Sequence, residues 1–197
     1  MNHGCMIMTW KQSSSLRNGR RNPLRDRKKR ANFTATSSQC WLFFSDIRGI
    51  VHMEFVPPGQ TVNGKFYCEV LRRLRENVRR KRPEMWKNGN WLLHHDNAPA
   101  HTSLVVREFL TKNNMTTVPH PAYSPDLALW DFYVFPKTKL WLKGRRFASI
   151  EEVQAESQQI LNTLTPADFN ECFQKWQNCW DHCTQAQGDY FKGEGGN

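Results

Sequence analysis

A chain of 197 residues with 39% hydrophobic and 12% aromatic side chains has enough apolar material for one domain with a proper core, and its composition is not that of a disordered polymer. No apolar run approaches the ~20 residues that cross a bilayer, and Met1–Lys11 lacks the basic start, apolar stretch and cleavage site of a signal peptide, so an intracellular protein without a membrane partner is expected. The formal net charge of +10 is uneven, with 19 Lys/Arg against 6 Asp/Glu in residues 1–90 and 9 against 12 in residues 91–197, so the first half suits either a polyanionic partner or a solvated basic surface.

Residues 1–38 show no clean periodicity. Nine Lys/Arg and a single acid, Asp26, fall between Lys11 and Arg30, broken by Ser13, Ser14, Ser15, Gly19 and Pro23. The stretch reads as a basic irregular arm, with a weak nuclear-import pattern at Arg27–Arg30. Order begins near Cys40: Cys40–Phe44 and Ile50–Phe55 read as a β-hairpin around Asp46-Ile47-Arg48-Gly49, stopped by Pro57-Pro58-Gly59. From Asn63 to Lys81 a helix is expected, with Phe66, Tyr67, Val70, Leu71, Leu74 and Val78 on its apolar stripe. Its other face carries Arg72, Arg73, Arg75, Arg79, Arg80, Lys81 and Arg82, the natural DNA-binding candidates, and Pro83 ends it.

Trp91–His95 reads as a short strand, Thr102–Lys112 as a helix turning Leu104, Val105, Phe109 and Leu110 inward, and Met115–Pro119 as another strand. A helix interrupted by Pro136 is expected over 127–142. Ser149 through Glu152 forms a capping box, and Thr165-Pro166 starts a last helix striped with Phe169, Cys172, Phe173, Trp176, Trp180 and Cys183. The tail beyond residue 191 is Gly-rich. The six cysteines contain no CxxC pair; Cys172, Cys179 and Cys183 share a helical face and read as buried thiols rather than zinc ligands, even with His182 nearby. Strands alternating with helices point to an α/β layered domain.

Two acids stand out by position. Asp96 follows a buried strand, and ligands bind at the carboxyl edge of open α/β sheets. Asp131 is flanked by Trp130 and Phe132, where an unpaired carboxylate is costly. A shared divalent ion would remove that cost, and oxygen-only ligands suit Mg²⁺ or Mn²⁺. The residues alone equally allow a helix N-cap at Asp96 and an exposed helical acid at Asp131.

His94-His95-Asp96-Asn97-Ala98-Pro99-Ala100-His101 resembles the second-carboxylate motif of mariner-family DNA transposases. Tyr123-Ser124-Pro125-Asp126-Leu127-Ala128, followed by Asp131-Phe132 and Phe135-Pro136-Lys137, resembles their third. The 34 residues between Asp96 and Asp131, with Asp closing the set, are the spacing of that family; its sister lineage closes with Glu. Arg48–His52, Glu54–Asn63 and Leu140–Phe147 resemble further family strings, so the likeness runs from about Cys40 to Phe191.

The resemblance implies a ribonuclease H-like mixed sheet flanked by helices, with C-terminal helices, over residues 39–191, preceded by the arm at 1–38 and followed by a tail at 192–197. It implies cleavage and strand transfer at terminal inverted repeats, insertion at TA, a two-ion Mg²⁺ or Mn²⁺ site on three carboxylates, a homodimer and a nuclear location. Asp96 and Asp131 map onto the second and third carboxylates, with Asn97 and His101 in supporting positions, while Asp126 reads as a turn residue. The family's first carboxylate lies on the first strand in an Asp-Glu-Thr/Ser-Trp string, and nothing in residues 1–39 matches it. The expectation is therefore a domain missing its first strand, with 1–38 a degraded or frame-shifted remnant, and a chain unable to cut DNA alone. Leu129 and Ala122 also replace prolines of the family pattern. The alternative is a non-catalytic DNA-binding or dimerisation module, from a domesticated or decaying element.

Overall fold

The computed structural model describes residues 6–13, 40–57, 59–121 and 150–185. Strands Met6–Ser13 (β1), Cys40–Asp46 (β2), Gly49–Phe55 (β3), Leu92–His94 (β4) and Thr116–Val118 (β5) form one mixed sheet in the order β3-β2-β1-β4-β5. β1 runs antiparallel to β2 and parallel to β4, and β5 runs parallel to β4. The helices are Gly64–Lys81 (α1), Pro83–Asn88 (α2), Pro99–Thr102 (α3), Leu104–Lys112 (α4), Ile150–Asn162 (α5) and Pro166–Gln185 (α6).

Alternation along β2 explains the layering, because successive strand side chains point to opposite faces. Leu42 and Phe44 join Val51, Leu93 and the α1 stripe of Tyr67, Val70, Leu71, Leu74 and Val78 in one core. Trp41 and Phe43 join Leu161, Phe169, Cys172, Phe173 and Trp176 in a second core on the other face. The sheet is thus sandwiched between α1 and α4 on one side and α5 and α6 on the other, each large apolar side chain contributing ~1.5–3 kcal/mol of burial.

The first strand, expected to be missing, is present. Met6–Ser13 lies at the centre of the sheet, paired on both sides. Met6-Ile7-Met8-Thr9-Trp10 was the local signal for it, obscured by the Lys/Arg-rich stretch that begins at Lys11. Residues 1–38 are therefore not an irregular arm throughout. The hairpin forms as expected, closing on Ile47-Arg48, with Gly49 at φ 125° where a side chain would be strained.

Asn63 caps α1, its Oδ1 accepting from Phe66 N at 2.9 Å. Pro83 ends α1 but, as a first-turn proline, also opens α2, which the sequence reading did not separate. The α4 phase differs from expectation: Val106 and Leu110 face the core, whereas Leu104 and Val105 are 71% and 40% exposed. The i, i+4 pair Val106/Leu110 is the better ridge against α1 once α3 and Ser103 set the start of α4. Thr165 and Asp168 form a reciprocal capping box at α6, Thr165 N and Oγ1 donating to Asp168 Oδ2 at 3.0 and 2.7 Å. Trp180 and Cys183 are half-buried on its stripe. The expected helix over 127–142 and its Pro136 break, the cap at Ser149, the Arg27–Arg30 pattern and the tail lie outside the described residues. No described helix is long and apolar enough to cross a membrane.

Candidate active site

β4 ends at His94, and the chain then turns through His95, Asp96 and Asn97 into α3. Strand alternation splits the two histidines. His94 goes to the α6 face, edge-on to Trp176 and Trp180 at 5.6 and 6.2 Å and 3.1 Å (Nε2 to Nδ1) from His120. His95 goes to the α1 face, its Nδ1 3.2 Å from the Tyr67 hydroxyl. Burial, reinforced by their histidine neighbours, holds both imidazoles down to about 4, so both are neutral near pH 7.

Asp96 is half exposed, and its Oδ1 is fixed from inside the protein. It accepts from Ala98 N at 3.1 Å and lies 2.5 Å from Nδ1 of His101, a ring only 1% exposed. A carboxylate only accepts, so Nδ1 carries the proton. Among the described residues His101 Nε2 has no hydrogen-bond partner. The ring is clasped between Tyr67 at 4.0 Å and His95, stacked at 5.4 Å and 7°. Burial would raise the Asp96 carboxyl, but the His101 hydrogen bond and charge outweigh it and hold it at about 2. Asn97 does not reach Asp96; its amide donates to His120 O at 2.8 Å, tying the turn to the segment after β5.

Asp131 lies outside the described residues, so its meeting with Asp96 does too. Among the described residues no three His, Cys, Asp or Glu form a metal-binding group, including those on the cysteine face of α6. β1 runs beside β4 in the register Met6–Leu92, Ile7–Leu93 and Met8–His94, so the last paired residue, Met8, lies level with the end of β4, two residues before Asp96. The strand reads Met-Ile-Met-Thr-Trp-Lys-Gln-Ser and has no acid. Asp46 ends β2 instead, fully buried, its carboxylate gripped by Arg82 at 2.6 and 2.9 Å. It is a structural ion-pair residue at the hairpin turn.

The cationic face of α1 is less uniform than its sequence. Arg82 turns inward to Asp46 and is not on that face. Arg73 pairs with Glu54 at 2.6 and 2.9 Å, Arg79 with Glu76 at 2.6 Å, and Arg72 with Glu69. Arg75 lies over the Trp86 ring at 5.2 Å. Sequence reasoning missed Tyr67, His94, His95 and His120 as neighbours of the site. Tyr67 reads as one more core position, and only the paired histidines before Asp96 offered a signal.

A central strand flanked by one antiparallel and one parallel neighbour, in the order 3-2-1-4-5 with a carboxylate just past β4, defines a ribonuclease H-like domain. The family model described as Transposase (partial DDE domain) matches residues 11–88. The Mariner Mos1 transposase of Drosophila mauritiana is 33% identical over 148 residues, covering 75% of this chain and 43% of that protein. The Mos1 transposase catalytic domain with raltegravir and Mg superposes with a TM-score of 0.78 at 28% identity, covering 95% of this chain and 85% of the other. The Mos1 mariner paired end complex with Mn gives 0.78 at 29%, covering 95% and 56%. In sequence and in fold the chain is thus similar to the catalytic domain of mariner transposases. It spans less than half the length of the Mos1 transposase that it matches.

Proposed function

We propose that this chain is a transposase-derived catalytic domain, built for cleavage and strand transfer at terminal inverted repeats and insertion at TA, that does not cut DNA by itself. One observation carries the reading: β1 lies in register beside β4, where Asp96 offers a carboxylate and β1 offers none. Asp96 Oδ2 is a hard oxygen donor on a half-exposed side chain, which fits Mg²⁺ or Mn²⁺ as one ligand of a set. In this reading Asp131 supplies the second ligand. A divalent ion held there would neutralise charge at a phosphodiester and acidify a bound water. His101 and Ala98 N hold Asp96 in one orientation, the Tyr67–His95 clasp keeps His101 in place, and Asn97 fixes the turn. Two carboxylates where the family uses three leave the ions misplaced, and small misplacements cost rate steeply.

DNA is the partner, drawn by the basic half of the chain; a homodimer and a nuclear location go with that role. In a nicking assay on terminal-repeat DNA with Mg²⁺ or Mn²⁺, the chain is expected to cut no faster than its Asp96→Ala variant. Robust cutting lost in that variant would overturn the inactivity. A non-catalytic DNA-binding or dimerisation role is the second reading, and the acid-free β1 favours it equally.

A further inference from the structure

We propose that the groove along the outer edge of β3 binds the phosphodiester backbone of DNA, through Arg80 and Lys81 of α1 and the amide of Asn162 on α5. The proposal rests on the reading that the chain binds DNA and gives that binding a place. The groove is a cavity of about 440 Å³ whose floor is Ile50–Met53 and whose walls are Asn77, Arg80 and Lys81 on one side and Gln158 and Asn162 on the other.

Charge pairing singles this place out. Of the seven cations at 72–82, four face carboxylates and Arg75 lies on Trp86. The remaining two, Arg80 and Lys81, both line this groove, and among the described residues no Asp or Glu lines it. Their described partners are neutral: Arg80 donates to Asn77 Oδ1 at 2.9 Å and Lys81 to Ile50 O at 3.4 Å. Burial and the neighbouring charges of Arg80 and Arg82 push the Lys81 ammonium below its ordinary range, a strain that an anion would relieve. Across the groove, Gln158 Nε2 donates to Asn162 Oδ1 at 3.0 Å, which fixes that amide and leaves its Nδ2 protons to donate.

Register then relates the groove to Asp96. Ile50 pairs with Ser45, Ser45 with Met8 and Met8 with His94, so the groove lies level with the carboxyl end of β4. Three strand spacings make the offset roughly 14 Å, about four base steps along one DNA strand. A backbone held near Asp96 can therefore also reach the groove.

The test is anisotropy binding of the full chain to a 20-base-pair duplex across a salt series. The arms are Arg80→Gln/Lys81→Gln, the uncharged change Asn162→Leu, and Arg107→Gln/Lys112→Gln as an equal charge loss on α4, each with a melting curve matched to the parent. The groove pair is expected to weaken binding at least tenfold and lower the log–log salt slope by about 1–2, at 0.9 per phosphate. Asn162→Leu is expected to weaken binding with the slope kept, and the α4 pair to cost less than threefold. Equal losses in both charge pairs, or no loss in Asn162→Leu, would overturn the groove alone. Failure of the parent chain to bind would remove the DNA reading and the groove with it.

Discussion

Asp96 owes its state chiefly to His101, with Ala98 N as a second donor. Its Oδ1 receives the His101 Nδ1 proton inside a clasp of Tyr67 and His95, while the carboxyl as a whole stays half in solvent. Replacing His101 with Leu keeps the apolar contacts and deletes the donor. The Asp96 carboxyl should then climb from about 2 towards its ordinary 3.8, because burial opposes its charge and only the weaker Ala98 N and His95 contacts still favour it. A ¹³C titration of the side-chain carboxyl reads this directly, and an unmoved midpoint would mean that His101 does not hold it. Asp96 was legible in the sequence because a motif marks it, and His101 because it belongs to the same motif. The fate of Arg82 was not legible. Its partner Asp46 is 36 residues away, and helical spacing sees only neighbours three and four apart.

At the scale of elements, Asp46–Arg82 joins the end of β2 to the junction of α1 and α2. The carboxylate is fully buried, the Arg82 side chain is 11% exposed, and Arg48 N adds a third bond at 2.9 Å. Removing one partner of such a pair strands a buried charge. Arg82→Met should therefore cost about 3–5 kcal/mol, while Asp46→Leu/Arg82→Met together should recover much of it. Urea midpoints of the single and double variants decide, and a double variant no better than the single would show that the pair's charge is not the issue. The hairpin, α1 and its Asn63 cap were readable because each has a local signal: turn residues, a 3.6-residue stripe, a side-chain acceptor. β1 was not, because its short apolar start runs straight into the Lys/Arg-rich stretch and pairing on both sides, not alternation, holds it in the sheet. The rotation of α4 was not either, since Leu104, Val105 and Val106 are equally apolar and only the approach of α1 selects Val106.

For the molecule as a whole, histidines couple both faces of the sheet to pH. His94 is packed against α6, His95 and Tyr67 against one another on the α1 face, and His52, at the β3 edge, between Asn77 and Glu54. Burial lowers all three imidazoles, to about 4 for His94 and His95; at His52 the Glu54 contact opposes but does not cancel it. A folded pKa below the unfolded one means that the unfolded chain takes up protons that the native state refuses. Stability is then fully present above pH 6.5 and drains away as the pH falls from there towards 4. For His94, which is 3% exposed, the loss by pH 4 is on the order of 3 kcal/mol. Urea midpoints should fall steadily between pH 7 and 4, and His94→Phe, which keeps a ring against Trp176 but cannot take a proton, should flatten that fall. Stability independent of pH over this range would show instead that the imidazoles are already solvated, and that β4 is not sealed between the two helical layers.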